Sequence, residues 1–90
     1  MIRLEGQLIT ANPGEVALIR LHLPAHLTLT RAEPGCFSFD VTITPDPLVW
    51  YVTEVFADRP AFDAHQTRTK ASAWFAATRA IRRDYKVSEE

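Results

Sequence analysis

The sequence predicts an α+β fold in which a four-stranded antiparallel sheet is covered by helices on one face. Three observations carry this prediction. Residues 37–43 alternate between apolar and polar side chains, as a strand with one buried face does. The next run, residues 48–57, is apolar on both of its faces apart from Glu54. Apolar residues at helical spacing lie both before and after this pair of strands.

The first half of the chain has the pattern of a strand, a helix and a second strand. Residues 2–11 alternate and predict the first strand, in which Gly6 on the apolar face leaves room for a bulky group to approach. From Val16 onward apolar residues recur at helical spacing, until Glu-Pro-Gly at residues 33–35 ends the helix. The face of the second strand that we expect to be buried consists of Phe37, Phe39, Val41 and Ile43.

The second half has the pattern of a strand, two helical pieces and a last strand. Residues 45–47 (Pro-Asp-Pro) end the second strand because proline lacks an amide donor, and residues 48–57 form the third. Asp58 is placed to cap a short helix that contains His65, and a second helical piece covers about residues 69–80. The last strand covers about residues 81–87. The complete order, β-α-β-β-α(α)-β, is the ferredoxin-like arrangement.

The third strand, with its two apolar faces, predicts a homodimer. A strand that is apolar on both sides must be covered on both sides, and the helices can cover only one face of the sheet. The other face then requires a partner. A second copy of the chain, packed sheet on sheet, is the simplest partner.

Composition limits the possible functions. The chain is one domain, residues 1–90. A formal net charge of −1 gives no global attraction to nucleic acid or to an anionic membrane, and the middle strands lack the basic and aromatic pattern of an RNA-binding sheet. No apolar run approaches the roughly 20 residues of a membrane span. A single cysteine excludes an internal disulfide and fits a reducing cytosol, so we expect a cytoplasmic protein.

Several short sequences occur together along the chain. They are EPGCF at residues 33–37, the run 50–56 with Glu54, and then Asp58, Phe62 and Ala64-His65. This set resembles the antibiotic biosynthesis monooxygenase (ABM) family of dimeric α+β barrel proteins. The resemblance covers nearly the whole chain, from the turn at residues 12–14 to Tyr85.

The resemblance implies a ligand cavity between the sheet and the helices, one in each subunit of a homodimer. It also implies a monooxygenase that uses no cofactor and no metal and acts on a small aromatic molecule, a quinol or a phenolic polyketide. In that reaction the substrate loses a proton, and its electron-rich anion reacts directly with dioxygen. The protein must then supply an apolar cavity, a proton acceptor and donors that stabilise the anion.

Within this resemblance, His65 and Glu54 are the candidate catalytic residues. Histidine has a reference pKa near 6.5 and exchanges protons at neutral pH, and a buried carboxylate with a raised pKa is a candidate base. The candidate substrate-binding residues are aromatic side chains suited to stacking on a flat ligand and polar side chains suited to binding its oxygens. They are Trp50, Phe62, Trp74, Phe75, Tyr85, Gln7 and Arg83.

Structural roles remain open for the same residues. His65 could pack between helix and sheet with its ring bonded to a backbone carbonyl, and Glu54 could pair with an arginine of the partner subunit. Trp74 and Phe75 lie at helical spacing with Ala71, which is also the pattern of plain core residues. Two functions are therefore compatible with the sequence: the oxygenase, and a dimeric module that binds a small apolar ligand without turning it over.

Residue spacing argues against two further functions. His22 and His26 have the i, i+4 spacing of a metal-binding pair, but no third ligand lies near them in sequence, so we predict no metal site. Haem-degrading relatives use an asparagine on the first strand, a tryptophan on the short helix and a histidine ten residues later. The matching positions here hold Gln7, His65 and Phe75, and we predict no haem degradation.

Overall fold

The fold is the one that the sequence predicts. The computed structural model describes all 90 residues, and its elements follow the order β-α-β-β-α-α-β. The strands are β1 (Ile2–Ile9), β2 (Cys36–Ile43), β3 (Val49–Phe56) and β4 (Arg82–Glu89), and the helices are α1 (Pro13–Arg31), α2 (Arg59–Lys70) and α3 (Ala73–Thr78). None of the three helices has both the length and the apolar character that crossing a membrane requires.

All four strands pair antiparallel, in the order β2-β3-β1-β4. The register places Leu4, Glu54 and Phe39 side by side on the face that the helices cover. The core combines this face with apolar residues of the helices, among them Ile19 and Phe62. The opposite face of the sheet, which we call the open face, has no helix over it. Its two central strands contribute Arg3, Glu5, Gln7, Ile9, Val49, Tyr51, Thr53 and Val55.

The buried face of β2 is shorter than predicted. Phe37 and Ile43, near its two ends, are 64% and 70% exposed. A bulge between Cys36 and Ser38 shifts the register, so that Cys36 rather than Phe37 lies opposite Phe56 on β3. Ile43 is the last residue of β2, which is an edge strand. The expected burial therefore holds only for the centre of the strand.

The second helical piece is also shorter than predicted. α2 continues to Lys70, and α3 begins only at Ala73. Ser72 separates them, because its Oγ accepts a hydrogen bond from the Phe75 amide at 3.1 Å and caps α3.

The bulky group that approaches Gly6 is the backbone of β4. A Cβ atom at Gly6 would collide with the Asp84 carbonyl oxygen and would lie 2.8 Å from Tyr85 Cα. Gly6 sits between Val52 of β3 and Tyr85 of β4 in the sheet. The glycine therefore sets how closely β4, which carries Arg83 and Tyr85, approaches the centre of the sheet.

Side-chain caps and one glycine turn position α1 and α2 on the sheet. Asn12 Oδ1 accepts from the Glu15 amide at 3.0 Å, and Asp58 Oδ1 accepts from the Ala61 amide at 2.9 Å. Between α1 and β2, Gly35 has a φ of +81°, which favours glycine. A Cβ atom at Gly35 would lie 2.7 Å from Ala61 Cβ. This turn therefore packs directly against α2.

Candidate active site

A cavity of about 220 Å³ lies between the helix-facing side of the sheet and the three helices. Its apolar lining comes from the four strands and α3: Leu4, Leu8, Phe39, Val41, Val52, Tyr85, Trp74 and Phe75. Its polar lining consists of Glu54, Arg83, His26, His65, Gln66, Thr69 and Lys70. A mostly apolar cavity with a few convergent polar groups is typical of a small-molecule site.

Glu33, in the turn after α1, orients His65 on α2. His65 Nδ1 lies 3.1 Å from both carboxylate oxygens of Glu33. A carboxylate only accepts hydrogen bonds, so Nδ1 carries the proton and the lone pair is on Nε2. Arg68 Nε donates to the same carboxylate, and Arg68 Nη2 donates to Thr30 Oγ1 at 2.8 Å. Glu33 is thus held by two partners on α2, and it fixes the ring that faces the cavity.

The other ring nitrogen of His65 faces Glu54. His65 Nε2 lies 3.6 Å from Glu54 Oε1 and 3.3 Å from Thr69 Oγ1. Both side chains are deeply buried, His65 at 2% and Glu54 at 6% exposure. Within the chain, the basic group next to Glu54 is this imidazole and not an arginine. The ring of His65 bonds to side chains rather than to a backbone carbonyl.

Burial shifts both groups toward their neutral forms. Loss of solvent, reinforced by the negative charge of Glu33, raises the pKa of Glu54 to about 7. Burial lowers the pKa of His65 from its ordinary value of 6.5, although the hydrogen bond and the charge of Glu33 act in the opposite direction. The pair therefore takes up and releases a proton near neutral pH, as acid–base chemistry requires.

Aromatic rings surround this pair. The His65 ring centroid lies 4.9 Å from that of Phe56 and 5.7 Å from that of Phe39. Across the cavity, His26 of α1 stacks on Trp74 of α3, with centroids 5.0 Å apart and ring planes 6° from parallel. Burial lowers the pKa of His26 to about 4, so this imidazole is neutral at neutral pH.

Arg83 and Tyr85 of β4 also face the cavity. Arg83 Nη1 donates to the backbone carbonyls of Thr78 at 2.8 Å and Ile81 at 3.0 Å, and Nη2 donates to Thr78 Oγ1 at 2.9 Å. These bonds tie the guanidinium to the end of α3. Burial raises the pKa of Tyr85 to about 12, so its hydroxyl is a neutral hydrogen-bonding group at neutral pH.

The structure brings six of the nine predicted site residues together and places three elsewhere. The six that line the cavity are Glu54, His65, Trp74, Phe75, Arg83 and Tyr85. Trp50 is buried in the core beneath the Arg20 guanidinium, 5.4 Å from its ring centroid. Phe62 packs edge-on against Phe56, with centroids 5.8 Å apart. Gln7 lies on the open face, because side chains alternate along β1.

Glu33 and His26 belong to the site but not to the sequence-based prediction. The sequence indicates Glu33 as part of a turn and of the EPGCF sequence but not as a site residue, and its bond to His65 spans 32 residues. His26 has a usable signal, because it shares the buried face of α1 with Ile19, Leu23 and Thr30. A histidine at that spacing points into the interior of the domain.

A second, wider concavity of about 540 Å³ lies on the surface between residues 33–35 and α2. Its charged side chains already have partners: Asp58 caps α2, and Glu33 pairs with Arg68. The smaller cavity is lined by Glu54 and His26, and Oε1 of Glu54 and Nδ1 of His26 have no hydrogen-bond partner. We therefore assign the candidate site to the smaller cavity.

Fold and site define a class of protein, a small α+β domain with a cavity between its sheet and helices and a neighbouring histidine and glutamate in the lining of that cavity. Comparison with known proteins identifies the family within this class. The family model described as antibiotic biosynthesis monooxygenase matches residues 2–77. The chain belongs to the ABM family.

Solved structures from several organisms share this fold. A candidate antibiotic biosynthesis monooxygenase from Deinococcus radiodurans has a TM-score of 0.83 at 20% identity, over 100% of this chain and 92% of that one. Rv0793 from Mycobacterium tuberculosis has a TM-score of 0.76 at 23% identity, over 99% and 93%. SnoaB, a cofactor-independent oxygenase from Streptomyces nogalater, has a TM-score of 0.76 at 11% identity, over 99% and 91%. No curated protein matches the chain in sequence.

Proposed function

We propose that the protein is a cofactor-independent monooxygenase that acts on a small quinol or phenol. The observation that carries this proposal is the pairing of His65 with Glu54 inside an aromatic-lined cavity. Membership of the ABM family supports it. So does the fold shared with SnoaB, which is described as a cofactor-independent oxygenase.

The first step is the removal of a proton from a substrate hydroxyl. His65 Nε2 and the Glu54 carboxylate are the acceptors, and the two side chains lie next to each other in the cavity lining. When Nε2 takes the proton, Glu33 at Nδ1 stabilises the imidazolium that forms, as a carboxylate does in a catalytic triad. The apolar surroundings strengthen these electrostatic interactions. The product is a phenolate with negative charge spread over its ring.

The phenolate then reacts with dioxygen. Two ring electrons form a bond between oxygen and a ring carbon that carries hydrogen, and the distal oxygen takes the proton held by the pair, which gives a hydroperoxide. Loss of the ring hydrogen as a proton and cleavage of the O–O bond then leave a ring carbonyl and release water. The phenol is oxidised to a quinone. One oxygen atom of dioxygen enters the product, and the other leaves as water.

The size of the cavity favours a small substrate. Its volume of about 220 Å³ exceeds the ~150 Å³ of an apolar cavity that holds benzene. It is below the roughly 300 Å³ at which pockets for drug-sized ligands begin. A quinol or phenol of one or two rings therefore suits the cavity better than a polycyclic polyketide.

Oxygen uptake tests the proposal. Protein without added flavin or metal is mixed with a panel of one-ring and two-ring quinols and phenols, and quinone formation is followed by absorbance. We expect uptake with at least one compound. His65→Ala should lower kcat by about 10²-fold or more, as loss of a general acid–base group does. His22→Ala, on α1 but outside the cavity, is the matched control and should keep the wild-type rate.

The other outcomes are equally informative. Equal uptake by His65→Ala would contradict the role of His65 and leave Glu54 as the acceptor, which Glu54→Gln tests in the same assay. If no compound causes uptake while some raise the melting temperature, the oxygenase proposal is wrong. The non-catalytic binding module then explains the cavity.

We also propose that two copies of the chain assemble through the open face. Along its centre, β3 presents Val49 and Tyr51, and Tyr51 is 41% exposed, whereas Val55 on the same face is already buried within the chain, at 9% exposure. Charged side chains flank this row, Glu5 on β1 and Asp40 on β2. An apolar centre within a polar rim is the usual anatomy of a protein interface.

A further inference from the structure

Two polar atoms of cavity-lining residues have no hydrogen-bond partner within the protein. They are Nδ1 of His26 and Oε1 of Glu54. Both side chains are more than nine-tenths buried, with His26 only 3% exposed. Buried polar groups in native proteins are nearly always hydrogen-bonded, so a side chain that lines a cavity and has an unpaired polar atom is a candidate to bond a ligand or an ordered water there.

The His26 ring is held in one orientation. Trp74 stacks on one of its faces, 5.0 Å away, and the Phe39 ring meets it at 83° with centroids 5.3 Å apart. Burial, with the nearby charges of Arg68 and Arg83 and the neighbouring His65, lowers the pKa of His26 to about 4. The neutral ring has one N–H donor and one lone pair. It can therefore donate to a carbonyl, or accept from and donate to a hydroxyl.

We infer that His26 is a substrate-binding residue whose imidazole hydrogen-bonds a second oxygen substituent of the substrate, while the first oxygen faces Glu54 and His65. The inference rests on the proposed function, because it takes the same cavity as the substrate site. The imidazole centroids of His26 and His65 are 6.1 Å apart, a separation that one ring with two oxygen substituents can bridge. A phenol with a single hydroxyl leaves one of the two buried polar sites unpaired.

Binding without oxygen tests this inference apart from catalysis. The affinities of phenol and of the three dihydroxybenzenes, catechol, resorcinol and hydroquinone, are measured by NMR titration under argon. We expect at least one dihydroxybenzene to bind about tenfold or more tightly than phenol, because phenol leaves a buried partner unpaired. His26→Phe keeps a ring on Trp74 but removes both nitrogens. It should abolish the preference while leaving the affinity for phenol nearly unchanged.

Two variants make the test specific. His26→Asn keeps a polar group at this position and should restore part of the preference, also if His26→Phe fails to fold. His22→Phe, on the same helix and outside the cavity, should behave as wild type. The inference is overturned if wild type binds phenol as tightly as all three dihydroxybenzenes, if His26→Phe keeps the preference at its wild-type size, or if His26→Asn folds but shows no preference.

The two proposals fail in different ways. A preference for a dihydroxybenzene that depends on His26, without oxygen uptake from any compound, supports the role of His26 and contradicts the monooxygenase. Oxygen uptake that depends on His65, without a preference that depends on His26, supports the monooxygenase and contradicts the role of His26.

Discussion

At the scale of single residues, Glu33 is placed to adjust both catalytic candidates at once. Its hydrogen bond and charge raise the pKa of His65, and its charge raises the pKa of Glu54. Removing that charge should lower both pKa values. If the deprotonated pair is the catalytic base, kcat/KM rises with pH as the pair loses its proton. Glu33 then decides the pH at which the rise occurs.

Glu33→Gln is therefore expected to move the ascending limb of the kcat/KM profile to lower pH, measured from about pH 5 to about pH 9. A purely structural loss would lower the rate at every pH and leave the limb in place. Asp63→Asn removes a charge from the exposed side of α2 and is the control. A limb at the same pH in wild type and Glu33→Gln would contradict the role given to Glu33.

Glu54 makes folding depend on pH. In the folded protein, the Glu54 carboxyl keeps its proton up to about pH 7, whereas the ordinary pKa of a glutamate is 4.5. Between these values the folded state binds more protons than the unfolded state, so this group makes stability fall as pH rises. His26 acts in the opposite direction, because its pKa is lowered from 6.5 to about 4. The two contributions partly cancel in the wild type.

Glu54→Gln removes the contribution that makes stability fall as pH rises, and it keeps the shape of the side chain. The variant should gain stability relative to wild type as pH rises from about 4 to about 8, by on the order of 3 kcal/mol at the upper end. Urea unfolding at several pH values measures this difference, with Asp63→Asn as the control for loss of one carboxylate. A constant difference between Glu54→Gln and wild type at all pH values would show that the Glu54 proton does not couple to folding.

At the scale of elements, the glycine turn after α1 sets the position of the helix that carries His65. Gly35→Ala forces a side chain into a φ of +81° and brings its Cβ to 2.7 Å from Ala61 Cβ. We expect a loss of about 1–3 kcal/mol in the free energy of unfolding. Ala61→Gly in the same chain removes the collision but not the backbone strain. The double variant should therefore lose less than the sum of the two single variants. Additive losses in chemical denaturation would contradict the contact.

The elements themselves were predictable because their signals are local. Alternation and proline positions indicate β2 and β3, and Asp58 marks the start of α2. What the local pattern does not contain is the bulge at Cys36, which exposes Phe37 because of the register with β3. At Ser72 the chain could either continue the preceding helix or cap a new one, and periodicity alone does not decide between these two structures.

At the scale of the whole molecule, the site depends on contacts between distant parts of the chain. Glu54 and His65 could be chosen from the sequence, since a carboxylate and a histidine in apolar surroundings are unusual. Glu33 could not be chosen in this way, because its bond to His65 depends on how α2 packs against the turn after α1. Trp50 is apolar and aromatic like Trp74, and the sequence alone does not distinguish Trp74, which lines the cavity, from Trp50, which does not.

The open face also concerns the whole molecule, because it is the surface through which we propose that two copies of the chain assemble. In the proposed dimer, Tyr51 lies at the centre of the buried surface, where a large aromatic side chain contributes most. Its hydroxyl lies 3.3 Å from Glu5 Oε2. An arginine at this position can pair with Glu5 in the monomer, so Tyr51→Arg should still fold. In the dimer it would bury a charge, which is costly.

Light scattering coupled to size-exclusion chromatography at micromolar concentration checks this prediction. Wild type should elute as a dimer, and Tyr51→Arg should raise the dissociation constant roughly 30-fold or more and elute as a monomer. Thr67→Arg adds the same charge on the exposed side of α2 and should remain a dimer. A monomeric wild type would contradict the dimer itself. A dimeric Tyr51→Arg would show that the copies associate through another surface and leave the apolar row on β3 without a partner.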